Sequence, residues 1–267
     1  MRRSLGISFG VFTQALFLLT VWHLFRFLHG DEPGVRSGSL WWDVVLTLQY
    51  VVVHSVLLHP ATKKRLGRWI TPEFYGSFFC VATCGGLLLT ITAWQDSGVV
   101  LWRLEGWERA VVEVAFAASW IALFYSLNLS GLGYQTGWTP WWHWVRRKPL
   151  PRRSFQPRGA YHWIRHPIYL SFLGLIWFTP VMTRAHALLT GVWTIYIFVG
   201  SYLKDERLAY YLGTSYRRYE QQVTGYPLFL FGPLARRKVV PATTKEPAPK
   251  EPTPTPAHRP QHTVLTH

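Results

Sequence analysis

The segment YHWIRHPIYL, residues 161–170, sets Arg165 and His166 directly against Pro167 and an apolar run. Proline suits the first turn of a helix, because it has no N–H to leave unsatisfied and its φ is already helical. His166 then falls at or beside the N-cap, where free backbone N–H groups and the positive end of the dipole favour a carboxylate or another electron-rich group. A guanidinium at the same place can pair with a carboxylate through two hydrogen bonds, or favour the ionised form of a thiol. Other polar groups stand near the ends of apolar runs: His54, Ser55, His59, Asn128 and the tetrad Lys204-Asp205-Glu206-Arg207. Ionisable groups gathered at one membrane depth mark a functional site by default. The plainer reading is that His166 only caps and Arg165 only snorkels, as Lys63, Lys64 and Arg68 are expected to do.

Positioning these groups falls to helices. Apolar runs predict six membrane spans at about 6–28, 41–59, 74–94, 110–130, 167–182 and 186–203, against the ~20 residues a crossing requires. The fold class expected is all-α, a polytopic transmembrane bundle. The last two spans are short and joined only through 181–185, with Pro180 as a breaker, so they read as one tight helical hairpin that forms the C-terminal pocket.

A formal net charge of +15 with 15 tryptophans in 267 residues is not the profile of a soluble basic domain. The charges fall into clusters between the spans, so they read as membrane topology, and no nucleic-acid partner is expected. Arg2 and Arg3, then Lys63-Lys64-Arg65 with Arg68, then Arg146-Arg147-Lys148 with Arg152, Arg153, Arg158 and Arg165 all belong on one side if each span crosses. By the positive-inside rule both termini are cytoplasmic, and tryptophans at the span ends form the interfacial belts. Residues 1–28 lack the small-residue cleavage site of a signal peptide. Cys80 and Cys84, four apart on one helix, are poorly placed for a disulfide and lack further metal ligands, so they read as packing residues. Residues 1–235 form the membrane domain. Residues 236–267, dense in Pro, Thr and charge, read as a disordered cytoplasmic tail.

The C-terminal third carries a longer pattern: Gly159-Ala160-Tyr161, Arg165-His166-Pro167-Ile168-Tyr169, Trp177, Pro180, Glu206-Arg207-Leu208, Gly213, Tyr216 and Tyr219. It resembles the membrane-embedded methyltransferases related to isoprenylcysteine carboxyl methyltransferase and phospholipid methyltransferase, and within them the nurim and methanethiol S-methyltransferase branch. The stretch VVVHSVLLHPATKKRLGRWI is similar to the same branch. The resemblance covers about 41–230 and is specific over 159–219. One departure stands out: where the family has paired glutamates, this chain has Lys204 and Asp205, with Glu206 shifted by one.

The resemblance implies S-adenosylmethionine as methyl donor, and a small-molecule or lipidic acceptor, a thiol or a carboxylate, reaching the site from the bilayer. It assigns Tyr161, His166, Pro167, Tyr169, Asp205, Glu206 and Tyr216 to the cofactor. His166 and the helix N-terminus would take the cofactor's carboxylate, Asp205 or Glu206 its ammonium, and tyrosine faces its sulfonium. For Tyr216 and Tyr219, interfacial anchoring stands as the other reading. Arg165 is the expected catalytic residue, orienting a carboxylate or favouring a thiolate, with His54 second. Methyl transfer needs alignment and exclusion of water more than an acid–base pair. Two other functions stay open. A non-catalytic nurim-like scaffold would accommodate the charge reversal at Lys204; a transporter would need repeats and mid-span charges that the sequence lacks beyond Glu113.

Overall fold

The computed structural model describes residues 3–30, 39–96, 98–151 and 155–237. The long helices are α1 (Arg3–His29), α2 (Leu40–Leu58), α4 (Pro72–Ala93), α5 (Gly106–Ser130) and α9 (Arg184–Leu212), with the short α3 (Pro60–Leu66), α6 (Leu132–Gln135), α7 (Trp138–Val145), α8 (Pro167–Trp177) and α10 (Thr214–Gln222) between and after them. Helices α1, α2, α4, α5 and α9 are long and apolar enough to cross a membrane, and α8 is a shorter apolar helix. The expected helical bundle is thus present, with five full-length candidates and one short element.

The last two elements differ from the expected hairpin. Helix α8 has only 11 residues and ends before Thr179-Pro180. The chain then runs extended as β2 (Val181–Thr183) and pairs antiparallel with β1 (Val100–Arg103), Trp102 opposite Met182 and Arg103 opposite Val181. A proline followed by β-branched Val181 and Thr183 disfavours a helical turn, and the strand is completed by a partner some eighty residues away. Thr183 Oγ1 then caps α9, accepting from His186 N at 3.1 Å while donating to Asp96 Oδ2 at 2.5 Å. Helix α9 continues through Lys204-Asp205-Glu206-Arg207 and stops at Gly213, φ 58°. Lys, Glu and Arg are good helix formers, so nothing breaks the helix before that glycine.

Helix α1 packs on α4, α2 lies between α4 and α9, and α5 packs on α8. Their inward faces form one core that includes Leu28, Leu46, Phe116, Leu175, Leu189 and Trp193. Outward residues such as Val11, Leu18, Val52, Val114, Ile121 and Ile195 are exposed, as lipid-facing positions must be. Association in lipid depends on close packing, and glycine permits it at two points. A Cβ on Gly10 would stand 2.1 Å from the Trp141 ring, whose Nε1 donates to Gly6 O at 2.9 Å. A Cβ on Gly76 would stand 2.8 Å from Cα of Gly137, itself at φ 76°. These contacts seat the Trp-rich α7 against the first turns of α1 and α4. Cys80 and Cys84 are free and buried on α4, in keeping with a packing role.

Candidate active site

Arg165, His166 and Asp205 come together where α8 begins and α9 nears its end. Asp205 Oδ2 accepts from Arg165 Nε at 3.1 Å and Nη2 at 2.9 Å, and His166 Nε2 lies 3.1 Å away. Asp205 Oδ1 accepts from the Tyr216 hydroxyl at 2.5 Å. The side chains of Arg165, His166 and Asp205 are all 0% exposed. The remaining guanidinium nitrogen, Arg165 Nη1, donates to the carbonyls of Val223 at 2.5 Å, Ala235 at 3.2 Å and Glu220 at 3.3 Å. Every nitrogen of this guanidinium is therefore committed within the protein, tying α8, α9, α10 and the following loop together.

His166 differs from its neighbours. Its Nδ1 is buried without a hydrogen-bond partner, and its ring lies 5.5 Å from both the Tyr169 and Tyr226 rings. Burial pulls its pKa below the ordinary histidine value, although Asp205 works the other way. Burial and the Asp205 charge push the Tyr216 phenol well above its usual range, so it remains a donor. Burial likewise pushes Tyr161 up to about 12. The backbone holds the motif too: Arg165 N donates to Thr224 O at 2.8 Å and His166 N to Gly225 O at 3.2 Å. Gly225 is required there, since a Cβ would stand 2.6 Å from Leu234 O and 3.1 Å from His166 Cδ2.

At about 100° per residue, the positions of Tyr196, Lys204 and Arg207 share one face of α9, while Asp205 lies some 160° from Arg207. On the face shared with Tyr196 and Arg207, Lys204 Nζ sits 5.1 Å from the centre of the Tyr169 ring. His54 Nδ1 is 2.6 Å from the Tyr196 hydroxyl, to which Ser55 Oγ donates at 3.2 Å. Arg207 lies on the face of α9 from which Tyr196 reaches His54. Tyr169 thus stands between the sealed cluster and this second, partly buried polar group.

The chain is 33% identical over 239 residues to methanethiol S-methyltransferase 1 of Bradyrhizobium diazoefficiens, an alignment covering 83% of this chain and 81% of that protein. The chain belongs to the methanethiol S-methyltransferase family. The family's enzyme from Mycobacterium tuberculosis is 27% identical, with 84% of this chain and 96% of that protein aligned. Nurim of Mus musculus is 28% identical over 186 residues, 65% of this chain and 69% of its own. No family model matches the chain, and no solved structure does either.

Within this methyltransferase the residues picked out by sequence divide into two sets. Arg165, His166, Asp205 and Tyr216 form the sealed cluster, and Pro167 opens α8 beside it. Tyr161 joins its edge, its carbonyl accepting from the Tyr219 hydroxyl at 2.6 Å. Tyr169 borders both sets, and His54 belongs to the second. Glu206 is drawn away from both, paired with Arg217 at 3.3 Å and with Arg237. His59 caps α3, accepting from Ala61 N at 3.3 Å, and Asn128 is exposed on α5.

Sequence reasoning missed Tyr196, Tyr226, Glu220 and Arg237. Glu220 is fully buried and pairs with Arg217 at 2.9 Å and Arg237 at 3.3 Å, and burial pushes its pKa up. Tyr196 had a signal: it precedes Lys204 by eight residues and so shares its helix face. Arg237 lay just past the boundary drawn at 235, and its pairing carries the folded unit to the last described residue; 238–267 lie outside the described residues. Two surface clefts of about 470 and 460 Å³ are lined by Arg3, Arg147 and Trp144 and by Lys63, Tyr75 and Tyr211, away from the sealed cluster.

Proposed function

We propose that this membrane methyltransferase moves a methyl group from S-adenosylmethionine to a small thiol, with methanethiol, the acceptor named for its relatives, as the first candidate. The observation that carries the reading is the complete Arg165–His166–Asp205–Tyr216 cluster. The charge reversal that favoured a non-catalytic scaffold falls at Lys204, on a different face of α9. The carboxylate at 205 keeps all its partners.

The cofactor fits the chain at His166. Its Nδ1 is buried and left unpaired by the protein, as is the Tyr161 hydroxyl of the same motif, and tyrosine rings flank the imidazole. Of the residues expected at the cofactor, His166, Tyr169 and Tyr161, with Tyr226, would hold it at the N-terminus of α8. Bound S-adenosylmethionine supplies a methyl group already activated on a sulfonium. Aromatic faces favour such a cation. Arg165, Asp205 and Tyr216 act as positioning residues: they fix the His166 ring and close the floor of the site against water. The basic clusters support an orientation with both termini in the cytoplasm, which sets this end of the bundle toward the soluble cofactor and leaves the bilayer side to the acceptor.

The test uses the full chain purified in detergent, measuring equilibrium binding of labelled S-adenosylmethionine and the release of dimethyl sulfide from methanethiol. Saturable binding and product formation are expected, both lost in a folded His166→Ala variant. Wild-type protein that is folded yet forms no methylated thiol would leave the scaffold reading in its place.

A further inference from the structure

Helix α9 closes one polar face and leaves the other open. Asp205 is matched by three donors, whereas Lys204 and Arg207 have no carboxylate within 4 Å among the described residues. Both are partly buried, on a helix long and apolar enough to cross the membrane. An unmatched cation is disfavoured there, and near a helix end it ordinarily stretches to the interface. Lys204 instead lies against the face of Tyr169. The surrounding groups are suited to a small guest. The Tyr196 hydroxyl and His54 provide polar edges, while Tyr50 and Phe79, 5.6 and 5.3 Å from His54, provide apolar ones.

We propose that Lys204 and Arg207, with the hydroxyls of Tyr169 and Tyr196, form a binding site for a small monoanion, which during turnover is the thiolate sulfur of the acceptor. The assignment rests on the methyl-transfer reading above and replaces Arg165, whose donors are committed, as the cation facing the acceptor. A thiol attacks as its thiolate, and neighbouring cations favour that form. The chemistry balances without a further reactant. The thiol proton leaves to solvent, the sulfur lone pair forms the new S–CH3 bond, and the methyl–sulfonium bond breaks with its pair kept by the departing sulfur. Tyr169 connects this site to His166, where the donor is expected, so acceptor and donor would meet across one ring.

Thiocyanate, a soft monoanion, is the probe, titrated without S-adenosylmethionine so that no methyl donor is present. Calorimetric titration of the full chain in detergent should show one saturable site, weakened at least tenfold in Lys204→Met/Arg207→Gln and retained in Lys204→Arg. In the same double variant kcat/KM for methanethiol should fall at least tenfold while equilibrium binding of labelled S-adenosylmethionine stays within twofold. Unchanged thiocyanate binding in the double variant overturns the proposal, leaving a snorkelling pair only. Loss of S-adenosylmethionine binding in that variant also overturns it, because the cations would then hold the donor's carboxylate. Wild type that binds thiocyanate at this site yet methylates no thiol keeps the anion site and sinks the methyl-transfer reading alone.

Discussion

Replacing Asp205 by Asn separates a strut from a ligand contact. The wild-type carboxylate takes two hydrogen bonds from Arg165, at 3.1 and 2.9 Å, one from Tyr216 at 2.5 Å, and lies 3.1 Å from His166 Nε2. Asparagine keeps the volume but removes the counter-charge of a guanidinium that is 0% exposed. Leaving a buried charge without its partner costs about 3–5 kcal/mol. Tyr216→Phe, which removes a single hydrogen bond to a charged group, should cost about 1.5–3 kcal/mol. The double replacement Arg165→Met/Asp205→Leu removes both charges but strands the Tyr216 hydroxyl and the carbonyls of Glu220, Val223 and Ala235, so it should cost at least as much as Asp205→Asn. Reversible unfolding in mixed detergent–SDS micelles, followed by tryptophan fluorescence, measures all three. The reasoning is refuted if Asp205→Asn unfolds within about 0.5 kcal/mol of wild type, the ordinary range for surface substitutions, yet loses S-adenosylmethionine. That result would turn the carboxylate toward the ligand, as the sequence alone suggested.

Four further outcomes are expected. Gly225→Ala drives a Cβ to 2.6 Å from Leu234 O and should destabilise by about 1–3 kcal/mol, with weaker cofactor binding, in the same unfolding and binding assays. Gly10→Val places its side chain in the Trp141 ring and should detach α7 from α1, seen as a red shift and stronger quenching of tryptophan emission. His166 has a folded pKa below its unfolded value of about 6.5, so the unfolded chain binds its proton first; stability should be full above that pH and fall as the pH drops below it, and His166→Gln should flatten that decline in thermal unfolding. Truncation after Arg237 should leave cofactor affinity unchanged, whereas truncation after Leu234 removes both the Ala235 carbonyl that receives Arg165 and the Arg237 pairing of Glu206 and Glu220, and should lower the unfolding midpoint.

The bundle was legible because its signals are local. Uninterrupted apolar runs, flanking tryptophans and basic clusters mark α1, α2, α4 and α5 within a few residues of their observed ends. Pro167 likewise marks the start of α8. The β1–β2 ladder was not legible, since Val181–Thr183 is a strand only because residues near 100 lie beside it. The last turns of α9 fell outside the expected span for the opposite reason: four charged residues follow the apolar run, though they continue the helix. The structure brings most of the candidate residues together, but the part each can play depends on which face of α9 it occupies or meets. Arg165 has the chemistry of an acceptor-binding cation and the surroundings of a strut, a distinction that rests on three carbonyls from segments with no sequence signature.

The departure at Lys204 follows from the same geometry. Adjacent helical positions point about 100° apart, so a pair of acids at 204 and 205 cannot serve one partner equally. Position 205 meets Arg165, His166 and Tyr216 in a fully buried space, where only a carboxylate balances the guanidinium. Aspartate suffices there because the donors reach it. Position 204 meets Tyr169 and the α2 side of the bundle, where its charge answers to whatever small molecule enters rather than to the protein's own framework. Changing its sign therefore leaves the sealed cluster intact and alters what the open face attracts. A lysine there beside Arg207 suits an anionic acceptor, while a glutamate beside the same arginine would cancel it. Lys204→Glu should consequently keep fold and S-adenosylmethionine affinity while lowering the affinity for thiocyanate, and equal losses of both ligands would show that the two faces are not independent.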